Sequence, residues 1–195
     1  MTHETDHHYI QETLAGNTQA FSVLVERYQD FVYTIALKML KVREEAEEVA
    51  QDSFVKAYES LWTFRGDSKF SSWLYRIVYR KSLDRLRKHK KIRTLDLVEE
   101  TTEAETQSIE NALQTLEAME RSVIIQKGLE QLPEVEAAIV GFYYFEGLSV
   151  REISDITELT EDNIKIKLYR SRKKLFSYLK FYVLPKYTEE NGRAT

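Results

Sequence analysis

The sequence predicts an all-α chain: two small helical domains joined by a flexible acidic linker. Three observations lead there. Apolar residues recur at steps of three and four almost throughout, the spacing of one helix face, and no stretch alternates with period two for long enough to build a sheet. Only six glycines and two prolines fall in 195 residues, too few for a chain of many tight turns. Charge also changes sign abruptly. Nine Lys/Arg stand against the single acid Asp84 from Arg76 to Arg93, and then eight acids and no base run from Thr94 to Glu120.

The elements follow in order. Met1 to Tyr9 is polar and lacks the apolar core of a signal peptide, so it is read as a mobile N-terminus. The Gly16-Asn17 break precedes a stripe from Phe21, Leu24 and Val25 through Tyr28, Phe31, Val32, Ile35 and Ala36 to Met39 and Leu40. That stripe is about five helical turns long. Ala46, Val49, Ala50, Phe54, Ala57, Tyr58 and Leu61 mark a second helix, and the loop Trp62 to Ser68 leads to a third from Phe70. Thr101 and Thr102 amid glutamates read as solvated linker. Helical patterning returns at Ile109, Leu113, Leu116, Met119 and Val123.

Pro133 suits a first helical turn, where its missing N–H does little harm. The helix it opens ends near Gly147. A short helix from Ser149 to Ile156, a turn at Glu158-Leu159-Thr160 and a longer helix from Glu161 have the lengths of a helix-turn-helix. Thr160 can cap the longer helix, with Glu161 and Asp162 placed well against its dipole. Ile153, Ile156, Leu159, Ile164 and Leu168 are spaced to pack the pair. The expected domains are 1–92 and 112–185, with a linker at 93–111 and a tail at 186–195. The apolar stretch FYVLPKY after Lys180 either folds back on the second domain or offers a surface to a partner.

Composition excludes several function classes. With no cysteine there is no disulfide, thiol catalysis or cysteine zinc site. No apolar run approaches the roughly 20 residues of a membrane span, so a cytoplasmic protein without membrane insertion is expected. His3, His7, His8 and His89 are the only histidines. They suggest neither a metal site nor a cofactor, and an enzyme is not expected.

What remains is nucleic acid. The overall charge of −4 is no objection, because the acids are segregated from two basic helices. The competing explanation is that such cations merely complement helix C-terminal dipoles in solvent. From Asn163 to Lys180 seven cations and no acid lie on a helix able to enter a major groove. The earlier helix instead sets Trp73, Tyr75 and Tyr79 among its first cations, a combination that suits unpaired bases. Trp73 is in register with Phe70 and Ile77, which favours core packing over a base contact without excluding the latter. Tyr75 and Tyr79 fall on the other side, as contact candidates.

The same residues resemble the extracytoplasmic-function (group IV) sigma factors of bacterial RNA polymerase. "GNTQAFSVLVERY" and "EEVAQDSFVKAYESLWTFRGDSKFSSWLYRIVYRKSLDRLR" are similar to sigma region 2. "LEQLPEVEAAIVGFYYFEGLSVREISDITELTEDNIKIKLYRSRKKL" is similar to region 4. The resemblance implies a subunit that binds core polymerase through its β′ clamp helices and β-flap and reads promoter DNA. A cognate anti-sigma factor is commonly a further partner. Glu48, Gln51, Asp52 and Phe54 would form the polymerase face. Trp62, Phe64, Arg65, Asp67 and Ser68 would receive a flipped −10 base, with Trp73, Tyr75, Arg76, Tyr79, Arg80 and Lys81 along the separated strand. Arg151, Thr160, Asn163, Lys165, Lys167, Arg170, Arg172 and Lys173 would face the −35 duplex.

Two positions depart from the family pattern. Arg80 stands where Asn is frequent, and Glu158 stands where the turn usually has Gly, which implies a left-handed residue there. The other functional class to weigh is a stand-alone helix-turn-helix regulator whose first half senses a signal or dimerises.

Overall fold

The computed structural model describes residues 2–89 and 118–191. The linker expected at 93–111 and the helical pattern from Ile109 to Leu116 lie outside the described residues. Among the described residues the architecture is all-α. The helices are α1 (Thr2–Leu14), α2 (Thr18–Leu40), α3 (Arg43–Ser60), α4 (Phe70–Lys88), α5 (Ala118–Glu130), α6 (Glu134–Tyr144), α7 (Val150–Thr157) and α8 (Glu161–Asn191).

Helices α2, α3 and α4 form the first bundle, around Leu24, Ile35, Met39, Leu61, Leu74 and Val78. The α2 stripe ends at Lys41, a left-handed residue (φ 59°) whose N–H donates to the Leu37 carbonyl. Helix α1 corrects the expectation of a mobile N-terminus. It is helical and packs on α2, burying Ile10 and Asp6, and the Asp6 carboxylate accepts from Arg27 and, at 2.6 Å, from the Tyr28 hydroxyl.

In the second half, Pro133 occupies the position just before α6. Gly147 (φ 63°) turns the chain into α7, which opens on a capping box. There the Glu152 amide donates to the Ser149 hydroxyl at 3.2 Å, and the Ser149 amide donates to the Glu152 carboxylate at 2.8 Å. Glu158 closes α7 in the left-handed region (φ 62°), as its place in the turn requires. Thr160 caps α8 by accepting from the Asn163 amide at 3.3 Å. Ile153, Ile156, Ile164 and Leu168 are buried between the two helices. Helix α8 carries its backbone on to Asn191 through FYVLPKY, whose side chains lie outside the described residues.

The two halves share one core. Helix α6 packs on α2 and α7 packs on α4. Phe142, fully buried on α6, lies 6.0 Å from the Tyr75 ring at an interplanar angle of 27°, 6.4 Å from Phe31 and 6.5 Å from Tyr79. Nearby, Lys38 extends over the Phe145 ring at 4.1 Å, and burial lowers the pKa of its ammonium.

Candidate nucleic-acid interface

The loop between α3 and α4 opens with a 3₁₀ turn, Leu61–Thr63, which buries Leu61 and leaves Trp62 76% exposed. Phe64 anchors the loop, its ring 5.8 Å from Phe70 and 5.6 Å from Trp73. Beyond it Gly66 takes φ 81°, a left-handed bend that favours glycine, and Arg65, Asp67 and Ser68 are exposed. An outward indole thus precedes, by two residues, an aromatic wall in which Trp73 is half-buried.

On α4 the structure departs from the expected orientation. Tyr75 and Tyr79 do not face solvent in this arrangement: they are 1% and 3% exposed, against Phe142 of the second half. The Tyr75 hydroxyl donates to the Glu146 carboxylate at 2.7 Å. Burial pushes both phenols upward, that of Tyr79 to about 12. The reason is that α4 packs on two sides, against its own bundle and against α6 and α7. A wheel drawn for one apolar face assigns the second face to solvent.

Four cations of α4 are engaged as well. Arg80 pairs with Glu158 across the two halves. Lys81 is 3.7 Å from Asp52, Arg85 2.8 Å from Glu48, and Arg87 3.5 Å from Asp84. Arg76 is half-buried. The Arg85 guanidinium, by hydrogen bond and charge, lowers the Glu48 carboxyl below its ordinary range. The expected polymerase-facing residues therefore divide between two faces. Glu48 and Asp52 meet α4, while Gln51 and Phe54 line a groove of about 360 Å³ between α2 and α3, together with Val25, Tyr33 and Glu47.

On the helix-turn-helix, Arg151, Thr160, Asn163, Lys165, Arg170 and Arg172 are exposed. Lys165 lies 3.3 Å from Asp162. Lys167 reaches back 2.8 Å to the buried Glu136, and Lys173 is half-buried with its ammonium 4.7 Å over the Tyr169 ring. The sequence reading passed over Ile166 and Tyr169, each about half exposed on the same helix. Their signal was available: they stand three apart and outside the Ile164/Leu168 core register. It also passed over Glu136, and it placed Glu146 and Glu152 in the region 4 pattern without their pairings to Tyr75 and Lys69, which join residues distant in sequence.

Comparisons with known proteins agree with this layout. The sigma-70 region 2 family model matches residues 24–92, and the sigma-70 region 4 model matches residues 122–175. The chain is 30% identical over 179 residues to the RNA polymerase sigma-H factor of Pseudomonas aeruginosa, covering 88% of this chain and 92% of that protein. It is 32% identical over 177 residues to the ECF RNA polymerase sigma factor SigW of Bacillus subtilis, covering 88% and 95%. Two solved structures share the fold. The sigma factor RpoE in complex with the anti-sigma factor NepR from Bartonella quintana aligns at TM-score 0.61 and 18% identity, over 82% of this chain and 96% of that one. CnrH in complex with the cytosolic domain of CnrY aligns at 0.57 and 22%, over 90% and 97%.

Proposed function

The chain belongs to the extracytoplasmic-function sigma factors of the sigma-70 family, and from that premise we propose how its two halves divide promoter recognition. It is an RNA polymerase sigma factor, a class of DNA-recognition subunit. In our reading, residues 1–92 dock on core polymerase and hold the opened −10 strand, 93–111 span the gap, and 112–185 read the −35 duplex, with a tail at 186–195. The protein works in the cytoplasm and carries out no reaction of its own. Its partners are the β′ clamp helices and β-flap of core polymerase and promoter DNA. A cognate anti-sigma factor joins them by analogy with the aligned RpoE–NepR complex.

One observation carries the assignment: an exposed basic helix follows a turn closed by the Thr160 cap, in the same chain as an exposed indole two residues before an aromatic wall. The helix suits duplex DNA, and the indole with Arg65 suits a splayed base. A stand-alone regulator has no use for the second surface, and the first half matches region 2.

Energetics explain the need for a polymerase. Unstacking costs about 1.4 kcal/mol per base-pair step, so four steps cost about 6 kcal/mol. Each stacked base returns about 1–3 kcal/mol. The chain alone does not cover that difference. Run-off transcription with purified core polymerase is expected to give promoter-specific products, and their absence on every genomic fragment overturns the assignment. Lys165→Ala with Arg170→Ala, both exposed, is expected to weaken −35 duplex binding and to flatten its salt slope by about 0.9 per lost phosphate contact. Unchanged affinity removes α8 from the interface.

A further inference from the structure

We propose that Ile166 determines specificity at the −35 interface, as an apolar tip that reads the C5-methyl group of a thymine in the major groove. The proposal rests on the assignment of α8 to duplex DNA and adds what that helix selects. Ile164 and Leu168 are buried, at 0% and 5% exposed, and fix which side of α8 packs on the rest of the second half. A helix advances about 100° per residue. Ile166, midway between them in sequence, therefore points away from the packed side, and it is 50% exposed. The Thr160 cap starts α8 at Glu161. That puts Ile166 in the second turn, among the N-terminal residues that a helix-turn-helix directs at base edges.

The neighbours of Ile166 show what it serves. A single exposed aliphatic side chain is ordinary on a protein surface, but this one is flanked by the exposed cations Lys165 and Arg170. No acid occurs from Asn163 to Lys180. An apolar tip between cations fits a polyanion that also offers an apolar group, which favours duplex DNA over a protein partner. In the major groove that group is the thymine methyl, which no other base carries. The other large side chains around the tip have partners inside the helix or behind it. Lys167 turns back to Glu136, and the Lys173 ammonium lies 4.7 Å over the Tyr169 ring. Ile166 has no donor, acceptor or charge to give a phosphate. Its contribution to binding is selective or it is nothing.

The test removes the methyl group alone. Holoenzyme assembled from the full chain and core polymerase is bound to a promoter duplex identified by run-off transcription, and closed-complex affinity is measured. Each thymine on either strand of the −35 element is replaced in turn by uracil. At one thymine at least, uracil is expected to weaken wild-type binding about fourfold, equivalent to about 0.8 kcal/mol for one buried methyl group. Ile166→Ala, a change outside the core, is expected to bind the thymine duplex more weakly and the uracil duplex equally well. Lys165→Ala with Arg170→Ala is expected to weaken both duplexes and to keep the fourfold preference. Uracil that costs nothing, a preference that survives Ile166→Ala, or a −35 element without thymine overturns the proposal. Unchanged affinity of Ile166→Ala for the thymine duplex overturns it too and leaves the side chain to a protein partner. Run-off transcription separates this from the parent reading. Promoter-specific transcription without a methyl preference removes the role of Ile166 alone, whereas no promoter-specific product removes the sigma assignment and that role with it.

Discussion

Phe142 is the residue on which the packing of the two halves turns. It is fully buried yet belongs to neither bundle alone, with Phe31, Tyr75 and Tyr79 around it. Phe142→Ala is expected to cost about 3–5 kcal/mol, read as a lower urea midpoint. The two tyrosines give a second measurement. Burial, reinforced at Tyr75 by Glu146, favours their neutral forms. The unfolded chain therefore loses these protons first, and stability is expected to fall as pH rises above the ordinary tyrosine value of 10.0. Tyrosinate absorbance should show three phenols titrating late in the wild type, Tyr28 beside Asp6 among them, with Tyr75 and Tyr79 alone moving closer to the ordinary value in Glu152→Gln with Glu158→Gln. The positions of these residues were not legible from their spacing. Periodicity identifies a helix face by its own neighbours, and the second face of α4 exists only because another half of the chain packs on it.

Among the elements, the helix-turn-helix was the most legible, because its signals are local. Ser149, Glu152 and Thr160 stand at the ends they cap, and Ile153, Ile156, Ile164 and Leu168 keep a helical register. Glu158 also follows from its place in the turn. In an Arg80→Ala background, where its ion pair is gone, Glu158→Gly is expected to stabilise the fold by about 1 kcal/mol, measured by chemical denaturation. Helix α1 was missed for the opposite reason. THETDHHYIQETL has a weak apolar stripe, and its anchoring pairs run from Asp6 to Arg27 and Tyr28 on the next helix. No spacing rule reaches that far. Asp6→Ala is expected to cost about 1–3 kcal/mol, the range for leaving buried partners unsatisfied.

For the whole molecule, charge is arranged between parts rather than spread over one surface. Arg80, Lys81 and Arg85 of α4, in the basic stretch that the sequence offers to nucleic acid, are paired with the helix-turn-helix and with α3. Glu152 ties the pH response to this arrangement. The Ser149 amide, then the Ser149 hydroxyl and Lys69, hold its pKa below the usual 4.5. A lowered carboxylate contributes stability above its unfolded pKa and loses it as pH falls through the folded value. Acidification is therefore expected to lower the thermal midpoint less steeply in Glu152→Gln than in the wild type.

Lys41 gives the packing of the two halves a further consequence. Its ammonium, on the first bundle, donates to the carbonyls of Glu130 and Leu132 at 2.6 and 2.7 Å, at the open end of α5. A cation there satisfies terminal carbonyls and opposes the negative pole of the helix. The last turn of α5 is thus completed by a side chain from the other half of the protein. Separation of the halves should fray that turn, so amide exchange around Gln131 and Leu132 becomes a native clock for how often the molecule breathes open, readable without a dye or a ligand.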